Sequence, residues 1–363
     1  MLFAQVNSMK NKTGKFDVLI LAVEAAIVLT TVLFAADSTE AKNSGSNFIV
    51  DIPRAGEAQA EILNPYEMTS STPPVALNTP ATDNKPTAEP TCSQSRIIQR
   101  KTLGVEYPSR GINVKAIVEL PEHLENVNYP LIVMLHGYGG TCNEGGGFEK
   151  IAECFAENGI ASIRMDFAGC GKSEENFVKN SMTTIKEDTV RAIDYMCNQF
   201  EVDENKIYLW GYSMGGRAVL ELLVENQIIP RGIILTAPAA DTNDLKNLFG
   251  GEAQWERLKA EAKQNGFAMH GNKALGIAFF DDLEKHMSLT DELSSALAVD
   301  SIVFYSKNDL AVSPWVSEKT ARMLQCESVV FDYGGHAYGM FGRDTEILDL
   351  LIRKATEFVE INM

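Results

Sequence analysis

A serine hydroxyl is a poor nucleophile until a base sits beside it and the backbone lifts it clear of its neighbours. The run Ile207 to Gly216, I-Y-L-W-G-Y-S-M-G-G, has the residue types to do the lifting. A short apolar stretch ends in Gly211-Tyr212-Ser213-Met214-Gly215, and a helical pattern follows through Ala218, Val219, Leu220, Leu222 and Leu223. Strand, tight turn and helix in that succession hold the serine in a strained backbone conformation. Side chains two residues to either side would clash with the adjoining strand and helix, which is why glycines stand there. The first N–H groups of the helix then point at whatever Ser213 attacks. A tight turn merely capped by serine would carry the same five letters, so the rest of the chain must supply a base, an acid and a second oxyanion donor.

This succession resembles the nucleophile elbow of an α/β-hydrolase, in which the triad follows in the chain order serine, acid, histidine. The chain has five histidines, so the base can be sought by elimination. His123 and His136 precede the serine, and His270 and His286 fall in an irregular stretch. His336 sits in Gly334-Gly335-His336-Ala337-Tyr338-Gly339, after the last expected strand, where a loop can return imidazole over the elbow. The acid belongs in the loop after the preceding strand. There Ser306-Lys307-Asn308-Asp309 follows the run Ser301 to Tyr305, and Asp309 is the candidate; Asp300 lies at the wrong end of that strand. A tetrahedral intermediate needs at least two donors for its oxyanion. The backbone N–H of Met214 is one candidate. The backbone N–H of Tyr138, in His136-Gly137-Tyr138-Gly139-Gly140, is the other.

The elements that must position these residues can be read in order. Arg96 to Leu103 and Gly111 to Leu120 look like antiparallel strands around a turn containing Pro108 and Gly111. Leu131 to Leu135 is a continuous apolar run, as in a strand buried on both faces. A helix carries Phe148, Ile151, Ala152 and Phe155 at helical spacing. Ile160 to Asp166 is the next strand, followed by the glycine-rich turn Phe167 to Ser173. Thr184-Ile185-Lys186-Glu187 reads as a capping box opening a helix through Ala192, Met196 and Phe200. Gly232 to Leu235 is a further buried strand. From about 241 to 298 the rhythm breaks, and this stretch is expected to form an inserted cap. Ser301 to Tyr305, a helix over Val316 to Leu324, Ser328 to Phe331 and a last helix through Ile347, Leu351 and Phe358 complete the pattern. The expected fold class is α/β: a mostly parallel sheet with helices on both faces and a cap.

Composition narrows the partners. The chain has 363 residues, 45% hydrophobic and 22% charged, with a formal net charge of −17. So acidic a surface repels phosphate backbones, and no nucleic-acid partner is expected. The six cysteines show neither C-x-x-C pairing nor zinc-like spacing with histidine, so no metal site is expected. Lys10, Lys12 and Lys15 precede the apolar run Val18 to Ala36. Residues 1–41 are therefore expected to be a cleaved signal peptide or a membrane anchor, with 18–36 as a possible tether. Residues 42–94, rich in Ser, Thr and Pro, are expected to be a disordered linker, and 95–363 the catalytic domain.

The motifs at 136–140, 166–173 and 211–216, with Asp309 and Gly335-His336, stand in the order seen in α/β-hydrolases. Within them the chain resembles bacterial serine esterases of the cinnamoyl or feruloyl type, which carry an inserted cap. That resemblance implies a carboxylic ester hydrolase using Ser213, His336 and Asp309, acting on a small-molecule ester with no cofactor; with the N-terminal basic flank and apolar run, it is expected to be secreted or membrane-anchored. Two other readings are a serine peptidase of the prolyl-oligopeptidase-like type and a surface-tethered binding protein on a hydrolase scaffold. Tyr212 stands where many such enzymes have histidine.

Overall fold

The computed structural model describes residues 99–122, 127–293, 299–342 and 346–363. The expected leader at 1–41, the linker at 42–94, Cys92, His123 and the end of the insertion at 294–298 lie outside the described residues. Among the described residues no helix is long and apolar enough to cross a membrane, and no disulfide joins two of the five described cysteines.

The sheet starts with a hairpin. Strands β1 (Arg100–Ser109) and β2 (Ile112–Pro121) pair antiparallel through Arg110 and Gly111. Both turn residues have positive φ, 50° and 81°, as a two-residue hairpin turn requires. The expected turn at Pro108 is thus misplaced, and the expected first strand ends too early. Pro108 lies inside β1, opposite Asn113. β1 is an edge strand, so the missing proline N–H breaks no ladder to a further strand.

β3 (Tyr129–Leu135) is buried along its whole length, as its unbroken apolar sequence requires. Helix α1 (Gly147–Glu157) leads to β4 (Ala161–Met165), and α2 (Met182–Gln199) to β5 (Val202–Tyr212). The capping box of α2 is Ser181 with Thr184, one turn earlier than expected. Ser181 Oγ accepts the Thr184 N–H, and the Thr184 hydroxyl accepts the Ser181 N–H. Thr184 therefore supplies the third helical position of the box and not its cap.

After β5 come α3 (Met214–Val224) and β6 (Gly232–Thr236). The segment expected as an insertion then holds α4 (Thr242–Leu248), α5 (Glu252–Asn265), a small hairpin of β7 (Ala268–His270) and β8 (Lys273–Leu275), α6 (Ile277–Lys285) and α7 (Leu289–Glu292). β9 (Asp300–Ser306), α8 (Pro314–Leu324), β10 (Glu327–Phe331) and α9 (Glu346–Ile361) finish the chain.

The eight-stranded order is β1-β2-β4-β3-β5-β6-β9-β10. From β4 to β10 every pairing is parallel; β1–β2 and β2–β4 are antiparallel. Successive strand residues face opposite sides, and β5 shows it. Trp210 packs on Phe148 and Phe155 of α1, while Gly211 lies against Gly215 and Gly216 of α3. Register aligns Leu135 with Gly211, Tyr212 with Thr236, and Phe331 with Ser306, so the loops after these strands leave at one edge. The chain turns back between β3 and β5, and a crevice opens at such a switch point.

Buried charge joins the inserted segment to this core. Arg217, fully buried on α3, pairs with Glu221 at 2.9 Å and donates to the carbonyls of Ala239, Leu283 and His286. Glu221 also meets Lys186, and Glu225 meets Lys186, Lys285 and His286. Burial pushes the Glu225 carboxyl up, but hydrogen bonds from Lys186, Lys285 and His286 outweigh it and bring it down to about 2. Glu221, Glu225 and His286 bring possible metal-ligand atoms within 4.8 Å, although no sequence spacing foretold the group. Both carboxylates are already neutralised by Arg217, Lys186 and Lys285, so the cluster acts as a clasp between α2, α3 and the inserted segment.

Candidate active site

The turn after β5 has the geometry that its glycines require. Ser213 has φ 54° and ψ −115°, a region an L-residue occupies at a cost of about 1–3 kcal/mol. Tertiary bonds hold it there: Ser213 N–H donates to the Thr236 carbonyl at 2.9 Å, and the Ser213 carbonyl accepts from Ala239 and Arg217. A Cβ at Gly215 would overlap the Leu135 carbonyl, and one at Gly211 would lie 2.5 Å from the Gly215 carbonyl. No side chain caps α3, and Met214, directly after Ser213, supplies its first backbone N–H.

Three loops bring Ser213, His336 and Asp309 together. His336 Nε2 lies 3.0 Å from Ser213 Oγ, and His336 Nδ1 lies 2.8 Å from Asp309 Oδ2. Asp309 is buried. Its Oδ1 accepts the N–H groups of Ala311 and Val312, and its Oδ2 also accepts the Tyr338 hydroxyl at 2.9 Å. Burial raises its pKa, but the hydrogen bond and charge of His336 and the two amides outweigh burial and hold the carboxyl below its ordinary value. Asp309 is therefore the ionised acceptor that fixes His336 with Nδ1 protonated and Nε2 free to take a proton. Asp300, at the opposite end of β9, is ion-paired with Arg231.

The turn after β3 lies directly against the serine. A Cβ at Gly137 would come 3.4 Å from Ser213 Cβ and 3.0 Å from the Tyr212 ring. The turn closes with Gly140 N–H on the Gly137 carbonyl, and buried Glu144 accepts the Gly137 N–H at 2.8 Å. His136 is stacked on Phe167 at 3.8 Å. Its Nε2 accepts the Phe167 N–H and its Nδ1 faces the Gly137 carbonyl. Asp166 accepts the N–H groups of Cys142 and Lys172, tying the loops after β3 and β4 together. Burial lowers the His136 pKa from 6.5 to about 4, so it is held neutral. A depressed folded-state pKa means stability that is full above pH 6.5 and lost as pH falls through about 4. The expected loss is about 3 kcal/mol, read as a drop in the urea midpoint between pH 7 and pH 4 that His136→Gln reduces.

Two tyrosines were not singled out for these roles by sequence. Tyr212 donates its hydroxyl to the His336 carbonyl at 2.6 Å, with its ring 5.1 Å from the imidazole. Tyr338, buried with φ 50°, accepts the Ser306 N–H and donates to Asp309. The bulk of Tyr212 in a serine motif was the available signal. The hydroxyls' partners lie 124 and 29 residues away in sequence, beyond any local pattern. Tyr212→Phe is expected to lower kcat three- to tenfold, the worth of one net hydrogen bond, in an ester assay.

Aromatic side chains pack around the Tyr138 ring. The Tyr138 ring meets Phe177, Phe249 and Phe279 at centroid distances of 5.5, 5.8 and 5.8 Å. Phe249 and Phe279 come from the inserted segment.

Comparisons with known proteins agree with this architecture. The family model described as Serine aminopeptidase, S33 matches residues 128–267. An uncharacterized 31.7 kDa protein of Escherichia coli is 31% identical over 102 residues, 28% of this chain and 35% of that protein. Quorum-quenching protein AidA of Acinetobacter baumannii is 32% identical over 126 residues, 34% of this chain and 40% of that protein. The matches thus span well under half of these curated relatives. Among solved structures, Est1E from Butyrivibrio proteoclasticus with bound ferulic acid superposes with a TM-score of 0.55 at 20% identity, covering 71% of this chain and 98% of Est1E.

Proposed function

We propose that this chain, which has the α/β-hydrolase fold, is a serine hydrolase that cleaves carboxylic esters through an acyl-enzyme. The observation that carries the reading is the continuous hydrogen-bond line from Ser213 Oγ through His336 to Asp309. Ser213 Oγ bonds to the ester carbonyl carbon as His336 Nε2 takes its proton. The carbonyl electron pair moves onto oxygen, and the amides of Tyr138 and Met214 stabilise it. When the carbon–oxygen bond to the alcohol breaks, His336 returns the proton to the leaving oxygen. Water then repeats the sequence on the acyl-serine. Asp309 stays ionised and stabilises the imidazolium.

The aromatic cluster of Tyr138, Phe177, Phe249 and Phe279, built on the turn next to Ser213, supports a flat or small acyl group, feruloyl and cinnamoyl esters among them. The positive flank and apolar run before the linker support an exported enzyme, secreted or held by residues 18–36, with the domain from 95 onward as the catalytic part and 241–298 as its cap.

A peptidase reading is favoured by one observation, the aminopeptidase description of the matching family model. A panel of p-nitrophenyl acetate, p-nitrophenyl butyrate and a feruloyl ester beside aminoacyl p-nitroanilides separates the two. The ester reading expects kcat/KM for the best ester to exceed that for the best anilide by at least about a hundredfold, or about 2.7 kcal/mol in transition-state stabilisation. A preference for anilides would replace it with the peptidase.

A further inference from the structure

Lys273 stands at the start of β8, in the hairpin of the inserted segment. The hairpin is pressed onto the core: a Cβ at Gly276 would overlap the Val178 carbonyl. From there the lysine reaches over the turn after β3, where a Cβ at Gly139 would lie 2.9 Å from Lys273 Cε and 3.5 Å from Nζ. Gly139 follows Tyr138 in the turn whose Gly137 packs against Ser213, so the ammonium overlies that turn. It also lies 4.8 Å over the ring of Phe177, which packs on the Tyr138 ring.

Among the described residues no carboxylate lies within 4 Å of this half-buried ammonium. Charges withdrawn from water normally find a partner. On a chain of net charge −17, with carboxylates in surplus, an unpaired cation here is against the trend. The same turn carries a second unmatched polar group. The Tyr138 hydroxyl is buried and has no hydrogen-bond partner among the described residues, and its ring packs on the same Phe177. An ammonium and a hydroxyl donor around one aromatic ring suit an anionic oxygen at the end of a short apolar arm.

We propose that the esters this site prefers carry a second, negatively charged oxygen group, and that Lys273 receives it with the Tyr138 hydroxyl as a further donor. The inference rests on the ester-hydrolase reading and names the substrate class for that site. The chemistry sought is a carboxylate or other oxyanion on an ester, borne either by the acid or by the alcohol.

The test compares charged and uncharged esters within each variant. On the acid side the pair is the p-nitrophenyl monoester of glutaric acid and p-nitrophenyl pentanoate. On the alcohol side it is p-acetoxybenzoate and phenyl acetate. The wild type is expected to favour the charged member of one pair. Lys273→Met is expected to cut that charged-to-neutral ratio of kcat/KM by about tenfold to a hundredfold, the range of a charge-assisted contact, and Lys273→Arg to restore most of it. Which pair responds identifies the side of the ester. Recognition is read separately from turnover on the Ser213→Ala background, by calorimetric binding of monomethyl glutarate and of acetoxybenzoate. Binding of either anion that weakens at least tenfold in Ser213→Ala/Lys273→Met supports the proposal even if hydrolysis is slow. Ratios unchanged by Lys273→Met, with neither anion bound more weakly, would overturn it and leave the ester reading intact.

Discussion

Replacing Asp309 by Asn lowers kcat for a p-nitrophenyl ester by about four orders of magnitude while the fold persists. The reason lies in what each carboxylate oxygen accepts. Oδ1 takes two backbone N–H groups, from Ala311 and Val312. An asparagine would keep its carbonyl oxygen there and turn its NH2 toward His336 Nδ1 and the Tyr338 hydroxyl. The amide then donates to Nδ1, the proton of neutral His336 moves to Nε2, and the nitrogen beside Ser213 Oγ has no lone pair to accept with. The loss should fall on kcat, with circular dichroism unchanged. A decrease of less than tenfold would mean that Asp309 is not the orienting acid.

The second large effect concerns stability. Arg217→Met is expected to destabilise the protein by about 3–5 kcal/mol. Arg217 is buried and serves Glu221 and three carbonyls, two of which, Leu283 and His286, belong to the inserted segment. Removing it takes a charged donor from all three carbonyls, leaves Leu283 and His286 with the Thr242 hydroxyl in its place, and leaves Glu221 with Lys186 as its cation among the described residues. For a domain of this size the loss corresponds to a fall in Tm of roughly 10 °C. The double variant Arg217→Met/Glu221→Met should recover much of it, because an apolar pair leaves no uncompensated carboxylate. Equal Tm values for the single and double variants would show that the ion pair with Glu221 is not the source of the loss.

The strand–turn–helix around Ser213 was legible because its requirements are local. The glycines answer to contacts within a few residues and to the neighbouring strand end at Leu135. The buried strands were legible because unbroken apolar runs have few other uses, and the mostly parallel sheet with helices followed from their spacing. His336 and Asp309 emerged by elimination and loop position, and the structure brings both within hydrogen-bond reach of their partners. What escaped was set by long-range contact or by competing local solutions. Pro108 reads as a turn signal unless its strand is known to be an edge. Ser181 and Thr184 both suit a helix start, and only the geometry shows which caps. Glu144, Tyr212, Tyr338 and Lys273 look like ordinary polar or aromatic residues in sequence. Their partners come from other loops, and no periodicity encodes such pairings.

The central claim is that Ser213 is an activated nucleophile, and a fluorophosphonate probe tests it without knowledge of the substrate. Intact-mass analysis of the wild-type protein after incubation is expected to show one phosphonyl adduct, mapped by peptide sequencing to Ser213, and none on Ser213→Ala. An unlabelled wild type, or equal labelling of both proteins, would contradict it.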